Sequence, residues 1–251
     1  MKHRALLVGA GRIGVGRNWI ETPYVYTHAG AYKALSDRVE LVGVVDSSIE
    51  AARWAEDKWG VEAWTSIEGA VAKLKPDIVS ICTPPDKHAA NLVQCLHDGL
   101  LGVWMEKPMN VQAIDQWGHE RWPGPWPLFP KVQVNYIRRF DDFHRFGKAD
   151  ELWVWAKKDV HTVCHFTDLA RLWEVPKSGL HYFHMDGPNS YVARRGETDR
   201  LFPLGGMTGG FMERALGNLL DAVEGKAELI SPPESAIESE KWAEAILKGT
   251  P

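Results

Sequence analysis

The chain has 251 residues, 45% of them apolar and 25% charged, with a formal net charge of −4. That length holds one large domain or two small ones, and the balance is that of a soluble globular protein with no run of one charge sign to attract nucleic acid or a membrane surface. Three cysteines without CxxC spacing, Cys82, Cys95 and Cys164, argue against a disulfide framework and for a reducing, cytoplasmic setting.

The first apolar stretch, Arg4–Val8, breaks at glycines. It is too short for a signal-peptide core or a membrane span and reads as a buried parallel strand. Gly9-Ala-Gly11-Arg-Ile-Gly14 follows at once. The next stretch contains Pro23 and cannot be one clean helix, and helical spacing resumes over Ala29–Leu35. Glu40–Val45 is a second strand, ending at Asp46. Ile49–Trp59 has helical spacing and stops at Gly60. Ser66–Lys75 is a helix opened by Ser66 as N-cap and closed before Pro76. Asp77–Ile81 is a strand, Lys87–His97 a helix that stops at Gly99, and Gly102–Met105 a strand. Strands separated by helices imply right-handed βαβ units in a parallel sheet, with ligands bound beyond the carboxyl ends of the strands.

The glycine run sits where a dinucleotide fingerprint belongs, after a strand and opening a helix. Gly9 allows the tight turn, Gly11 lets the backbone approach a pyrophosphate, and Gly14 lets helix and strand pack closely. Helix N–H groups would then meet the phosphates. Arg12, Ile13 and Ser47 complete the contacts expected from these two turns. Asp46 can accept both adenosine ribose hydroxyls and repels a 2′-phosphate, which favours NAD over NADP; Arg17 and Arg53 keep NADP open. Asp46 lies farther from the glycines than the usual spacing of about 20 residues, consistent with an insertion around Val15–Thr27. The fold expected for residues 1–108 is therefore α/β, a Rossmann-type doubly wound parallel sheet.

The second half is read differently. Trp117–Phe129 (WGHERWPGPWPLF) cannot form a regular helix and is expected to link or clasp the two domains. Lys131–Tyr136 and Glu151–Lys157 read as strands. Gly179–His184 and Ser190–Arg195, separated by Asp186-Gly187-Pro188-Asn189, read as a hairpin. Residues 109–251 are thus expected to form a small α+β domain with an open, mostly antiparallel sheet, the closing helices of 211–247 being free to pack back on the first domain. An open face needs cover, so a homodimer or larger homo-oligomer is expected. The doublets Arg138-Arg139 and Arg194-Arg195 read as solvated surface, and most of the twelve tryptophans as core or half-buried anchors.

Three segments are more specific than the glycines. Ser80-Ile-Cys-Thr-Pro-Pro-Asp-Lys-His88, the helix ending His97-Asp-Gly99, and Val103-Trp-Met-Glu106-Lys107-Pro108 resemble the glucose-fructose oxidoreductase/inositol dehydrogenase family (Gfo/Idh/MocA). More weakly, Asn135–Asp141, His165-Phe-Thr-Asp168-Leu-Ala-Arg171-Leu172 and Phe211–Leu247 are similar to that family's later segments. The resemblance implies hydride transfer between a nicotinamide and a carbon bearing a hydroxyl or carbonyl, often on a sugar, cyclitol or sugar nucleotide. It places Thr83, Pro84, His88, Glu106 and Lys107 at the cofactor, Lys107 near both the nicotinamide and the reacting carbon, and His165 in proton transfer. Where the family pattern has an aspartate four residues before that histidine, this chain has His161, a candidate proton relay; Asp159 is out of register.

The residue types fit the chemistry. Hydride loss from an alcohol carbon requires loss of the hydroxyl proton, which a positioned lysine or histidine can take. Burial and a cationic ring nearby would push a lysine toward the neutral base, and Glu106 could hold Lys107 in place. His161, Cys164 and His165, with His181 and His184 beyond, form no recognised metal-ligand spacing, so no metal is expected. The reading is an NAD(P)-dependent oxidoreductase of a small, sugar-like substrate. The alternatives are a cofactor-binding regulatory protein without turnover and an NAD-dependent hydrolase or lyase, since a fold alone does not decide function.

Overall fold

The computed structural model describes residues 2–18, 24–109, 130–140, 149–186, 190–196, 198–203 and 209–249. The proposed clasp at Trp117–Phe129 lies outside them, as do residues 187–189 between the two strands read as a hairpin. In chain order the strands are β1 (His3–Val8), β2 (Val39–Val45), β3 (Glu62–Trp64), β4 (Ile78–Ile81), β5 (Gly102–Met105), β6 (Lys131–Val134), β7 (Glu151–Ala156), β8 (Leu180–His184), β9 (Ser190–Arg195) and β10 (Thr198–Pro203). The helices are α1 (Arg12–Val15), α2 (His28–Ala34), α3 (Ile49–Trp59), α4 (Ile67–Leu74), α5 (His88–Cys95), α6 (Val160–Leu172), α7 (Phe211–Val223) and α8 (Pro233–Leu247).

Two compact units divide the chain: Met1–Asn135 with Gly210–Pro233, and Tyr136–Gly209 with Glu234–Pro251. The first is built on a six-stranded sheet in the order β3-β2-β1-β4-β5-β6, every pairing parallel. This is the strand order of a doubly wound dinucleotide-binding sheet. β4 and β5 are buried throughout, which is why they read as unbroken apolar runs rather than alternating ones. The helix starts follow local chemistry. Thr27, Ser48 and Ser66 each accept the backbone N–H three residues on, capping α2, α3 and α4. Gly60 ends α3 at φ 70°.

One assignment changes in the first unit. Lys131–Val134 belongs to the first unit's sheet, not the second's: β6 pairs with β5 in register Gly102↔Lys131 to Met105↔Val134. The reason is an exposed edge. β5 would otherwise end the sheet, and β6 covers it. α7 then packs there, with Gln133 Nε2 donating to the Ala215 carbonyl at 2.6 Å. A Cβ on Gly102 would stand 2.9 Å from Val223 Cγ1, so β5 and α7 approach as closely as glycine permits. The closing helices are thereby shared: α7 lies in the first unit and α8 in the second. β3, three residues long, is too short to show a period and was not read from the sequence.

In the second unit a four-stranded sheet runs β10-β9-β7-β8, antiparallel except for β7 with β8. The expected hairpin between Gly179–His184 and Ser190–Arg195 does not form, because β7 lies between those strands. β7 pairs on both edges and alternates strictly: Leu152, Val154 and Ala156 are buried and pack with Phe166, Leu169 and Ala170 of α6, and with Trp173 and Tyr191. The hairpin is instead β9 to β10, joined at Gly196 with φ 59°. The opposite face of β7 and β8 carries Trp153, Trp155 and Phe183 in parallel stacks with centroids 5.5 to 6.5 Å apart.

The Arg138-Arg139 doublet is not surface. Both side chains are buried, and Arg139 Nε donates to the two Asp168 oxygens at 3.1 and 3.0 Å, with Nη2 on Asp168 as well. Arg138 lies over the Phe166 ring. Asp168 also accepts from Ser239 Oγ at 2.9 Å, which ties α8 to α6. A buried charge persists only with such partners, and nothing in the local sequence shows that Asp168 will supply one. Arg194, by contrast, is half-exposed and pairs with Glu151 at 2.9 Å. The three cysteines are buried and free. Among the described residues no helix is long and apolar enough to cross a membrane.

Candidate functional site

The site is assembled where β1, β2 and β4 end. Gly9 turns the chain at φ 106°, and a Cβ there would lie 2.8 Å from the Cys82 carbonyl group. Asp46 clamps this turn: Oδ2 accepts from Ala10 N at 2.8 Å and Oδ1 from Ser48 N at 2.9 Å. A Cβ on Gly14 would stand 2.2 Å from the Gly9 carbonyl oxygen, so only glycine lets α1 lie this close to β1. α1 itself is a single turn ended by Gly16 in the left-handed region, so the dipole it offers is that of one turn.

Around these turns lies a cleft of about 680 Å³, within the range of small-molecule sites. Of the expected cofactor residues, Gly9, Gly11, Asp46, Ser47, Thr83 and Pro84 line it. Gly14 stands behind the turn, Arg12 is exposed, and Ile13 packs on the core beside Ala10 and Val15. Thr65, Ser66, Ile67, Glu68, Lys87, Asn91 and Gln94 also line the cleft and were missed. Asn91 Nδ2 donates to Thr83 Oγ1 at 2.8 Å. The signal for Thr65 to Glu68 was the carboxyl end of β3, legible only once β3 is known to be a strand. A Cβ on Gly11 meets nothing within 4 Å. The space that glycine leaves is therefore on the cleft side and fits the close backbone approach of a dinucleotide pyrophosphate.

His88 works from beneath. It is fully buried, with Nδ1 2.7 Å from the Pro108 carbonyl and Nε2 2.7 Å from the Thr83 carbonyl. It thus joins the loop after β4 to the loop after β5 and does not line the cleft. Glu106 and Lys107 follow β5 directly and are both buried. Burial alone would raise the Glu106 carboxyl. The hydrogen bond and electrostatic pull of His28, the hydrogen bond from Asn135 and the charge of Lys107 outweigh it and hold the group below the ordinary range. The Cys82 thiol is pushed well up, first by burial and then by the charge of Glu106, so it stays protonated.

The second unit places His165 half-buried on α6, edge-on to Tyr136 at 5.9 Å. His161 lies in the first turn of the same helix, and its side chain is outside the described residues. Asp159 is the N-cap: Oδ1 accepts from Thr162 N at 2.7 Å and Oδ2 from Thr162 Oγ1 at 3.1 Å. Its carboxylate is committed to starting the helix. Among the described residues, no three His, Cys, Asp or Glu side chains converge as metal ligands.

A six-stranded parallel sheet with a glycine turn, a clamped acidic residue and a cleft at its strand ends defines a dinucleotide-binding Rossmann domain. Residues 3–119 match the Gfo/Idh/MocA oxidoreductase family, described as having an NAD-binding Rossmann fold. It is 30% identical over 106 residues to D-glucoside 3-dehydrogenase of Escherichia coli (strain K12), a stretch that is 42% of this chain and 27% of that protein. It is 32% identical over 139 residues to inositol 2-dehydrogenase of Rhizobium meliloti (strain 1021), 54% of this chain and 36% of that protein. The matched stretches thus span about a quarter to a third of these relatives. The fold extends further. The structure of myo-inositol 2-dehydrogenase from Lactobacillus plantarum is similar over 100% of this chain and 97% of that one, with a TM-score of 0.75 at 15% identity. UDP-N-acetylglucosamine 3-dehydrogenase from Acidithiobacillus ferrooxidans is similar over 99% and 97%, with a TM-score of 0.72 at 15% identity.

Proposed function

We propose that this chain is an NAD-dependent dehydrogenase or reductase acting at a hydroxyl or carbonyl carbon of a sugar, cyclitol or sugar nucleotide. The observation that carries the reading is Lys107, buried at the carboxyl end of β5 beside an ionised Glu106, in the sheet whose other strand ends form the dinucleotide cleft. The nicotinamide, when bound, supplies the hydride acceptor or donor. Gly9, Gly11, Asp46, Ser47, Thr83 and Pro84 hold the dinucleotide. Arg12, Ile13 and Gly14 shape its turn, and His88 braces it. Lys107 takes the hydroxyl proton in oxidation and returns it in reduction. His165, on α6, is assigned to proton transfer, with His161 one helical turn before it in place of the aspartate of the family pattern. The printed names of the matched relatives, a glucoside and an inositol dehydrogenase, support this substrate class. The test is nicotinamide absorbance turnover across sugars, cyclitols and sugar nucleotides with NAD and NADP. Tight cofactor binding with no turnover on any of them would move the assignment to a regulatory protein.

Asp46 is the residue assigned to NAD preference, since a carboxylate there repels a 2′-phosphate. Asp46→Ala is expected to lower the NAD:NADP preference roughly tenfold, equivalent to about 1.4 kcal/mol. It should also cost about 2 kcal/mol of stability, because Ala10 and Ser48 N–H lose their acceptor. Titration calorimetry with both cofactors and denaturant unfolding read the two effects. An unchanged preference would remove Asp46 from cofactor choice.

The aromatic face of β7 and β8 is proposed to be covered by a second copy of the chain in a cytoplasmic homo-oligomer. Phe183 is 41% exposed there. Light scattering should report a dimer or larger assembly, and Trp155→Glu with Phe183→Glu should shift it toward monomer. A wild-type monomer ends this proposal.

A further inference from the structure

We propose that His28 is a positioning residue for Lys107, acting through Glu106. No motif pointed to it. His28 and Tyr32 lie one turn apart on α2, Ser80 is on β4, Glu106 follows β5 and Asn135 follows β6. Tyr32 OH is 2.7 Å from Ser80 Oγ, His28 Nδ1 is 2.9 Å from the same oxygen, and His28 Nε2 is 3.1 Å from Glu106 Oε1. Asn135 Nδ2 donates to Glu106 Oε1 at 2.5 Å. The His28 ring lies against Trp104 with centroids 3.7 Å apart. All five polar residues are buried.

Counting hydrogens gives the chain a direction. An ionised carboxylate only accepts, so His28 Nε2 carries a hydrogen. Nδ1 then accepts from the Ser80 hydroxyl, whose oxygen accepts from Tyr32. Each hydrogen has one acceptor, and the bonds run from Tyr32 through Ser80 and His28 to Glu106. Burial pushes the Tyr32 hydroxyl further up from its ordinary value. The relay therefore ends on a buried, firmly protonated phenol and conducts no proton to solvent. Its work is to hold Glu106 in one place and one charge state immediately before Lys107.

The catalytic consequence rests on the dehydrogenase reading, but the relay does not, and two substitutions separate them. His28→Gln keeps an N–H donor for Glu106 and an acceptor for Ser80 while losing the ring. His28→Phe keeps the ring against Trp104 and loses both hydrogen bonds. Infrared pH titration of protein carrying 13C-labelled glutamate reads the protonated Glu106 carboxyl, identified by its disappearance in Glu106→Gln. The Phe variant should protonate Glu106 about one pH unit or more higher than wild type, since burial is then less opposed. The Gln variant should stay near wild type. Turnover should fall about tenfold in the Phe variant and recover in Gln, with NAD affinity unchanged. A Phe variant that titrates like wild type, or a Gln variant as impaired as Phe, would overturn the proposal in favour of ring packing. If His28→Phe does not fold, Ser80→Ala removes the hydroxyl that fixes Nδ1. A smaller shift in the same direction supports the relay, and no shift overturns it. Should wild type turn over no substrate, the infrared arm still decides the relay, while the dehydrogenase reading fails separately.

Discussion

Replacing Lys107 by alanine is expected to lower turnover by about a thousandfold, the middle of the range for loss of a positioned acid or base. Binding of NAD should change by less than about threefold, so that the loss falls on kcat and not on cofactor affinity. The expectation follows from placement. Lys107 is buried, follows the carboxyl end of β5, and stands next to a carboxylate held ionised by His28 and Asn135. A solvated surface lysine would have none of this surrounding, and its removal would leave turnover unchanged. Single-turnover absorbance at saturating NAD, with binding followed by tryptophan quenching, distinguishes the two. Equal loss of binding and turnover would instead make Lys107 a cofactor contact.

Two glycines in the same turn are expected to respond in opposite ways to the same methyl group. Gly11→Ala should fold as wild type, because its Cβ meets nothing within 4 Å, and should lose NAD affinity by about a hundredfold, because that space is reserved for the pyrophosphate. Gly14→Ala should lose about 3 kcal/mol of stability, because its Cβ would lie 2.2 Å from the Gly9 carbonyl oxygen and α1 would have to leave β1. Denaturant unfolding and calorimetry on both variants make the comparison. A Gly11→Ala protein that still binds NAD at wild-type strength would refute the cofactor assignment of the cleft, whatever Gly14→Ala does.

What was legible in the sequence is what local chemistry decides. β1, β2, β4 and β5 are short apolar runs bounded by turn residues, and the caps Ser48 and Ser66 act on N–H groups three residues away. The glycine turn and Asp46 were readable because each sits directly after such a strand. Elsewhere the local signal was present but misleading. Arg138 and Arg139 look like any surface pair, yet they are buried, because Asp168, 29 residues after Arg139, comes to meet that side chain.

The sequence by itself determined the class of the first unit, its strand-helix alternation and the residues at the ends of its longer strands. Those signals span a few residues and need no distant partner. Only the tertiary structure decided that β6 and α7 return to the first unit, that β7 separates β8 from β9, and that Ser80, His28, Glu106 and Asn135 form one buried chain. Each of these joins residues far apart in sequence, 78 between His28 and Glu106 and 82 between Gln133 and Ala215. Such contacts form because a bare sheet edge must be paired and a buried polar group must find a partner. No local pattern records which partner that will be.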